Sequence, residues 1–295
     1  MMKIKKLSFS ISIILIIVLT ALISNSCKKD NQVKGNYQLQ VKAAHNLILQ
    51  KHNMIQLTVA YFKALKNESL QNTNFANIDN TEVRLLKNQN HHLYTFYHTI
   101  QFNQAYNRYM GGSVIVQTDS IPLRPDAEAV FSFDNYRYYS KKEYPANKFS
   151  AQKLELVVID TVNKHFVFDQ YLENIVFTDT SGLRNIRLDG TIRYDWEKWA
   201  GSAYFSDENE KIYISADLTF VNDNGDEVLL TTSENYIFTP RCGILKSGRG
   251  TFSFPNMQPD MGTLSYDNYD TCNIRGKMDM TDMQFYLTID EWLMD

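Results

Sequence analysis

The residues able to do chemistry are scattered along the chain in small groups. His91, His92 and His98 form the densest histidine group, and alternation along a strand puts His92 and His98 on one face with His91 on the other. That is half of a metal site, with no Asp, Glu or Cys beside it to complete the shell, and it reads as a polar strand edge. His45 and His52 are seven apart and share a helical face, with no carboxylate or cysteine to complete a metal site, and read as solvated surface residues. Asp223, Asp226 and Glu227 offer hard oxygens for calcium, but their spacing departs from the Asp-x-Asp-x-Asp-Gly pattern and suits a hairpin tip. Asp160, Asp169, Asp179 and Asp189 fall near apparent strand ends, where a glycosidase would need two of them to face each other.

Two further patterns fail on chemistry. Gly243 to Gly250 has the first two glycines of a phosphate-binding loop, yet Arg249 and Gly250 stand where Lys and Ser or Thr are needed, and a strand follows in place of a helix. The serines between Ser202 and Ser265 lie in no Gly-x-Ser-x-Gly elbow. No catalytic residue, metal ligand or cofactor is therefore assigned. The aromatic groups are more suggestive. Tyr136 and Tyr138, and Trp196 and Trp199, could form flat platforms for sugar rings or peptides, the alternative being that they cover the sheet.

These residues must be positioned by a chain of 295 residues, 44% hydrophobic and 21% charged, a composition that folds and buries a core. A net charge of -3 supplies no basic field for a nucleic acid. Lys3, Lys5 and Lys6 precede an uncharged apolar run from Leu7 to Ile23, which ends in Ser24-Asn25-Ser26-Cys27. That is the layout of an export signal. It resembles a bacterial lipoprotein signal, with the loosened box (Ser24 three before the cysteine, Ile23 one further back) and the Cys-Lys-Lys-Asp start of Bacteroidota lipoproteins. The resemblance implies cleavage before Cys27 and acylation of Cys27, leaving residues 1–26 as signal peptide and an outer-membrane lipoprotein facing the periplasm or the surface. An uncleaved anchor helix is the alternative. Loss of three lysines leaves 27 basic and 33 acidic residues, a mature charge of -6. Cys242 and Cys272 then remain as an even pair, able to form a disulfide or to stay as buried thiols.

Residues 27–36 read as a polar tether, and 37–67 as an amphipathic helix on the stripe Leu47, Ile48, Met54, Ile55, Tyr61, Phe62 and Leu65. Lys51, His52, Lys63 and Lys66 fall off that stripe, toward solvent. Residues 67–81 read as a loop. From 82 to 293 short runs of β-branched and aromatic residues at period two recur, and no helical stretch interrupts them. Asn222 to Asp226 suits a type I′ hairpin turn, and Gly111-Gly112, Ser181-Gly182 and Asp189-Gly190 read as punctuating turns. The predicted fold is mainly β, an antiparallel sheet or sandwich of sequential hairpins with two related halves as an option, preceded by one helix. The stretch from Cys242 to Gly276 is similar to uncharacterised β-rich lipoproteins of Bacteroidota and brings no known reaction. The expected function is a lipid-anchored envelope protein with a β-rich binding domain for a glycan or another envelope protein, non-enzymatic by preference. The alternative is an envelope hydrolase acting on glycans through paired carboxylates.

Overall fold

The computed structural model describes residues 38–103, 108–139, 147–161, 166–178, 185–197, 211–239, 244–257, 260–267, 275–280 and 283–288. Cys27, Trp199, Cys242 and Cys272 lie outside these residues, as do the lipid attachment and the disulfide expected of them. The chain is mainly β, as its alternation predicts. A helix α1 (residues 38–66) and a short helix α2 (Glu68–Thr73) precede fourteen strands. The strands are β1 (Phe75–Ile78), β2 (Thr81–Lys87), β3 (His91–Asn103), β4 (Arg108–Asp119), β5 (Glu128–Tyr139), β6 (Asn147–Asp160), β7 (Phe166–Thr178), β8 (Asn185–Glu197), β9 (Lys211–Val221), β10 (Glu227–Thr239), β11 (Ile244–Ser253), β12 (Met261–Asp267), β13 (Arg275–Met280) and β14 (Met283–Thr288). Every strand pairs antiparallel with the next in sequence, so one sheet runs from β1 to β14 in chain order. It is a single meander, not a two-sheet sandwich.

The region expected to be a loop holds α2 and β1. Asn67 stands in extended backbone, and its side chain accepts from the Leu70 amide at 2.8 Å, which starts α2; Asn74, at φ 61°, ends it. The cap is a local side-chain device that an Asn-rich composition conceals.

Helix α1 has no Gly or Pro to break it, and its register is as the stripe predicts. Its environment is not. Within residues 42–66 the polar residues His45, Asn46, Gln50, Lys51, His52, Asn53, Gln56, Thr58 and Lys66 are buried along with the apolar ones. The two histidines and Lys51 are therefore interior, not solvated, and the helix is not amphipathic in its burial. The physical reason is the curl of the sheet. Tyr61 packs edge-on against Tyr94 of β3 and Phe131 of β5, Phe62 against Phe168 of β7 and Trp196 of β8, and Lys51 against Tyr236 of β10 and Tyr266 of β12. Touched by strands from β3 to β12, the helix has every residue from 43 to 59 buried. Lys63 leaves this enclosure to pair with Asp79 in the β1–β2 turn.

Of the pairs read as turns, Gly111-Gly112 and Asp189-Gly190 lie inside strands instead, and Ser181-Gly182 lies outside the described residues. Gly112 (φ 83°) sits in β4 beside Asn135 (φ 49°) of β5, and Gly190 (φ 133°) in β8 beside Asn174 (φ 48°) of β7. Both pairs mark slips of register. A bulge and a turn need the same positive φ, so glycine alone does not tell them apart. These bulges bend long strands, which is how a sheet closes over a helix. At Asn222–Asp226 the hairpin is present, but only Gly225 (φ 81°) has positive φ. The Asn222 side chain accepts from the Asn224 and Asp226 amides at 3.0 and 2.9 Å, so an Asx turn replaces type I′.

Along β8 the inward residues are Ile186, Leu188, Ile192, Tyr194 and Trp196, all buried; the outward ones are Arg187, Asp189, Thr191, Arg193, Asp195 and Glu197. An apolar inside and a charged outside is the reverse of a lipid-facing barrel strand. No described helix is long and apolar enough to cross a membrane.

Candidate functional site

Helix α1 carries polar groups into the interior. Lys51 is fully buried, its ammonium nitrogen 3.9 Å from the centre of the Tyr236 ring and 5.2 Å from that of Tyr266. The two rings meet edge-on at 5.5 Å. Among the described residues Lys51 Nζ makes no hydrogen bond. With only ring faces for solvation, burial pulls the amine down from 10.5 to about 7. The same burial pushes the Tyr266 hydroxyl well above its ordinary value.

This box explains the glycines that resemble a phosphate loop. A Cβ at Gly250 would stand 2.2 Å from the Tyr236 hydroxyl oxygen, and one at Gly248 2.6 Å from the Tyr236 Cα. Gly248 and Gly250 lie within β11, and their missing side chains make room for a tyrosine. They do not cradle an anion.

Of the expected aromatic platform, Trp196 and Tyr136 are not on the surface. Trp196 is fully buried, 4.9 Å from Phe62, with Lys66 Nζ 5.1 Å from its ring centre. Tyr136 is buried against His98, Phe133 and Phe149. Both point inward because of strand register. Trp196 is in phase with Ile192 and Tyr194, and the bulge at Asn135 turns Tyr136 in. The side chain of Tyr138 lies outside the described residues.

His98 also faces inward, 3.4 Å from Thr81 Oγ1, and burial lowers it from 6.5 to about 4. It lines a crevice of about 20 Å³ with Asn53, Gln56, Leu57, Ala60, Phe96 and Phe131. That holds little more than a water. No group of three or more His, Cys, Asp or Glu able to hold a metal is found among the described residues, the Asp223 hairpin included.

Of the four acids read as strand-end residues, Asp179 is outside the described residues and Asp160 ends β6, accepting from the Thr161 amide. Asp169 and Asp189 lie within β7 and β8 and are engaged. Asp189 pairs with Arg187 at 2.9 Å and accepts from the Asn174 amide at 2.6 Å. Asp169 accepts from both Nε and Nη2 of Arg193, each at 2.7 Å. That pair is bidentate and nearly buried on the Asp side, with 9% of its side chain exposed.

Asp169 leads to a concave feature of the outer face. A groove of about 270 Å³ crosses β7 to β10, lined by Asp169, Thr191, Arg193, Ser215, Asp217 and Thr231. Cross-strand register sets these in two rows. Asp169, Arg193 and Ser215 lie opposite one another on β7, β8 and β9; Tyr171, Thr191, Asp217 and Thr231 do so on β7 to β10. Tyr171 is 40% exposed at the end of its row. Thr231 donates to Asp217 at 3.3 Å, and Thr232 both donates to the Ala216 carbonyl and accepts from its amide. Of this groove only Asp169 stands out in the sequence. The others follow the polar phase of each strand, but their meeting depends on which strands are neighbours. No family model, curated protein or solved structure matches this chain.

Proposed function

We propose that this chain is a lipid-tethered protein of the bacterial outer membrane, anchored through Cys27, whose β domain binds a glycan or another envelope protein without catalysing a reaction on it. The observation that carries the reading is where space exists. Among the described residues, the crevice beside helix α1 holds about 20 Å³, whereas the outer groove offers about 270 Å³ lined by charged and hydroxylic side chains. A ligand would be met from outside, on a surface of fixed strands that needs no induced closure. The short polar stretch after Cys27 would set that domain close to the membrane.

The hydrolase alternative draws on the two carboxylates in the groove, Asp169 and Asp217. Arg193 grips both oxygens of Asp169 at 2.7 Å, which commits that carboxylate to a bidentate ion pair. Binding is the better use of such a pair. The test is the full chain in detergent micelles against a panel of envelope glycans and peptides, scored for both retention and product formation. Retention without products supports the reading; turnover of any panel member overturns the non-enzymatic part. Growth with labelled palmitate tests the anchor, label being expected in the wild type and absent from Cys27→Ser.

A further inference from the structure

We infer that the groove over β7–β10 is a subsite for one uncharged pyranose ring of a glycan, a proposal that rests on the binding-module reading above. At about 270 Å³ the groove falls just below the ~300–1,000 Å³ usual for drug-sized ligands, which suits a single ring and not an extended chain. Its chemistry is that of hydroxyl recognition. A sugar presents vicinal O–H groups that both donate and accept, so its site needs acceptors and donors side by side at fixed spacing.

The first row supplies such a couple. Asp169 and Arg193 hold each other rigidly through two bonds of 2.7 Å, which leaves further carboxylate lone pairs and guanidinium N–H groups for a ligand. The second row lies two residues along each strand and adds Asp217 as acceptor, with the Thr191 hydroxyl opposite it on β8. Two rows of one sheet face are about 7 Å apart along the strands, the width of a ring bridging them. Tyr171 stands outside the groove lining, next to Thr191 at the end of the second row, and its exposed ring is the aromatic surface assigned to the C–H side of the sugar.

Charge sets the class. Asp169 and Arg193 neutralise each other, and Asp217 leaves the groove with a net charge of about -1, which repels uronic, sialylated or phosphorylated sugars. The neutral pyranose is thus the ligand that satisfies the donors and acceptors without meeting a like charge.

The experiment is saturation-transfer NMR on the full chain in micelles, with the methyl glycosides of glucose, galactose and N-acetylglucosamine, and of glucuronic acid as the anionic control. Transfer to at least one neutral glycoside and none to the glucuronide is expected. Asp217→Ala and Tyr171→Ala should each weaken binding by about tenfold or more, with urea midpoints equal to the wild type as proof of folding. Tyr286→Ala, on exposed β14, should bind as the wild type does. Equal binding of the glucuronide, or neutral binding untouched by both groove variants, overturns the subsite while leaving a binding module elsewhere on the surface. Failure of every glycoside also overturns it, and the envelope panel then decides separately whether the module reading stands.

Discussion

Lys51 allows a sharp test of the enclosed helix. An amine at about 7 in the folded chain and 10.5 in the unfolded one means that, between those values, the unfolded chain binds more protons. Stability then rises with pH across this window. The full difference is worth roughly 5 kcal/mol at 1.36 kcal/mol per unit. Most of that penalty is present at pH 7 and about 2 kcal/mol of it is relieved by pH 9. Lys51→Met keeps the length and the apolar stem and removes the titration. Urea unfolding followed by tryptophan fluorescence should find the variant more stable than the wild type by about 4 kcal/mol at pH 7, and the gap should narrow by about 2 kcal/mol at pH 9. Subtracting the variant cancels other groups that titrate in this range. The raised tyrosines stay protonated throughout it. A pH-independent gap, or a variant less stable than the wild type at pH 7, would refute an unpaired amine held between two rings.

The box and the core make further claims. Gly250→Ala should destabilise by about 2 kcal/mol through its clash with the Tyr236 hydroxyl, and Tyr236→Phe in that background should recover part of the loss, as a double-mutant cycle in urea would read. Phe62→Ala, which empties the space against Phe168, Tyr194 and Trp196, should cost about 3–5 kcal/mol and leave glycoside affinity unchanged if the chain is kept below its unfolding midpoint. The His98 ring protons should show no protonation shift in NMR above pH 5, whereas a solvated histidine would titrate near 6.5.

Much of this fold is legible in the residues, and the failures have definite causes. The period-two runs predict an antiparallel sheet because β-branched and aromatic residues at alternate positions fit one half-buried face. The 3.6-residue stripe of α1 places Tyr61 and Phe62 on the sheet, but a stripe records which residues are apolar and not whether the remainder meets water. Lys51 and His52 off the stripe carry no mark of enclosure, since only the curl of fourteen strands supplies it. Trp196 is legible in principle, being in phase with Ile186, Leu188, Ile192 and Tyr194 once Asp189-Gly190 is read as the interior of one strand. Reading that pair as a turn cuts the phase and leaves Trp196 without a side. The groove residues are invisible for a different reason. Arg193 reaches Asp169 across 24 positions, and only the strand order brings them together.

Stability and recognition are thus divided by the parity of each strand, and the paired kinks keep that division in place. On β7 and β8 the inward residues Phe168, Leu172, Ile192, Tyr194 and Trp196 close on α1 or its surroundings, while Asp169, Tyr171, Thr191 and Arg193 between them face out. A slip of one residue would exchange the two sets, putting Arg193 against Phe62 and Trp196 into water. The bulge of Asn174 beside Gly190 stands against such a slip, because the Asn174 amide is bonded to Asp189 and a Cβ at Gly190 would meet the Asp217 carbonyl at 2.2 Å. Gly190→Ala should therefore disturb the outer rows as well as the core. Loss of glycoside binding together with a lowered urea midpoint is the expected result, and binding retained at full strength would show that the groove does not depend on the kink.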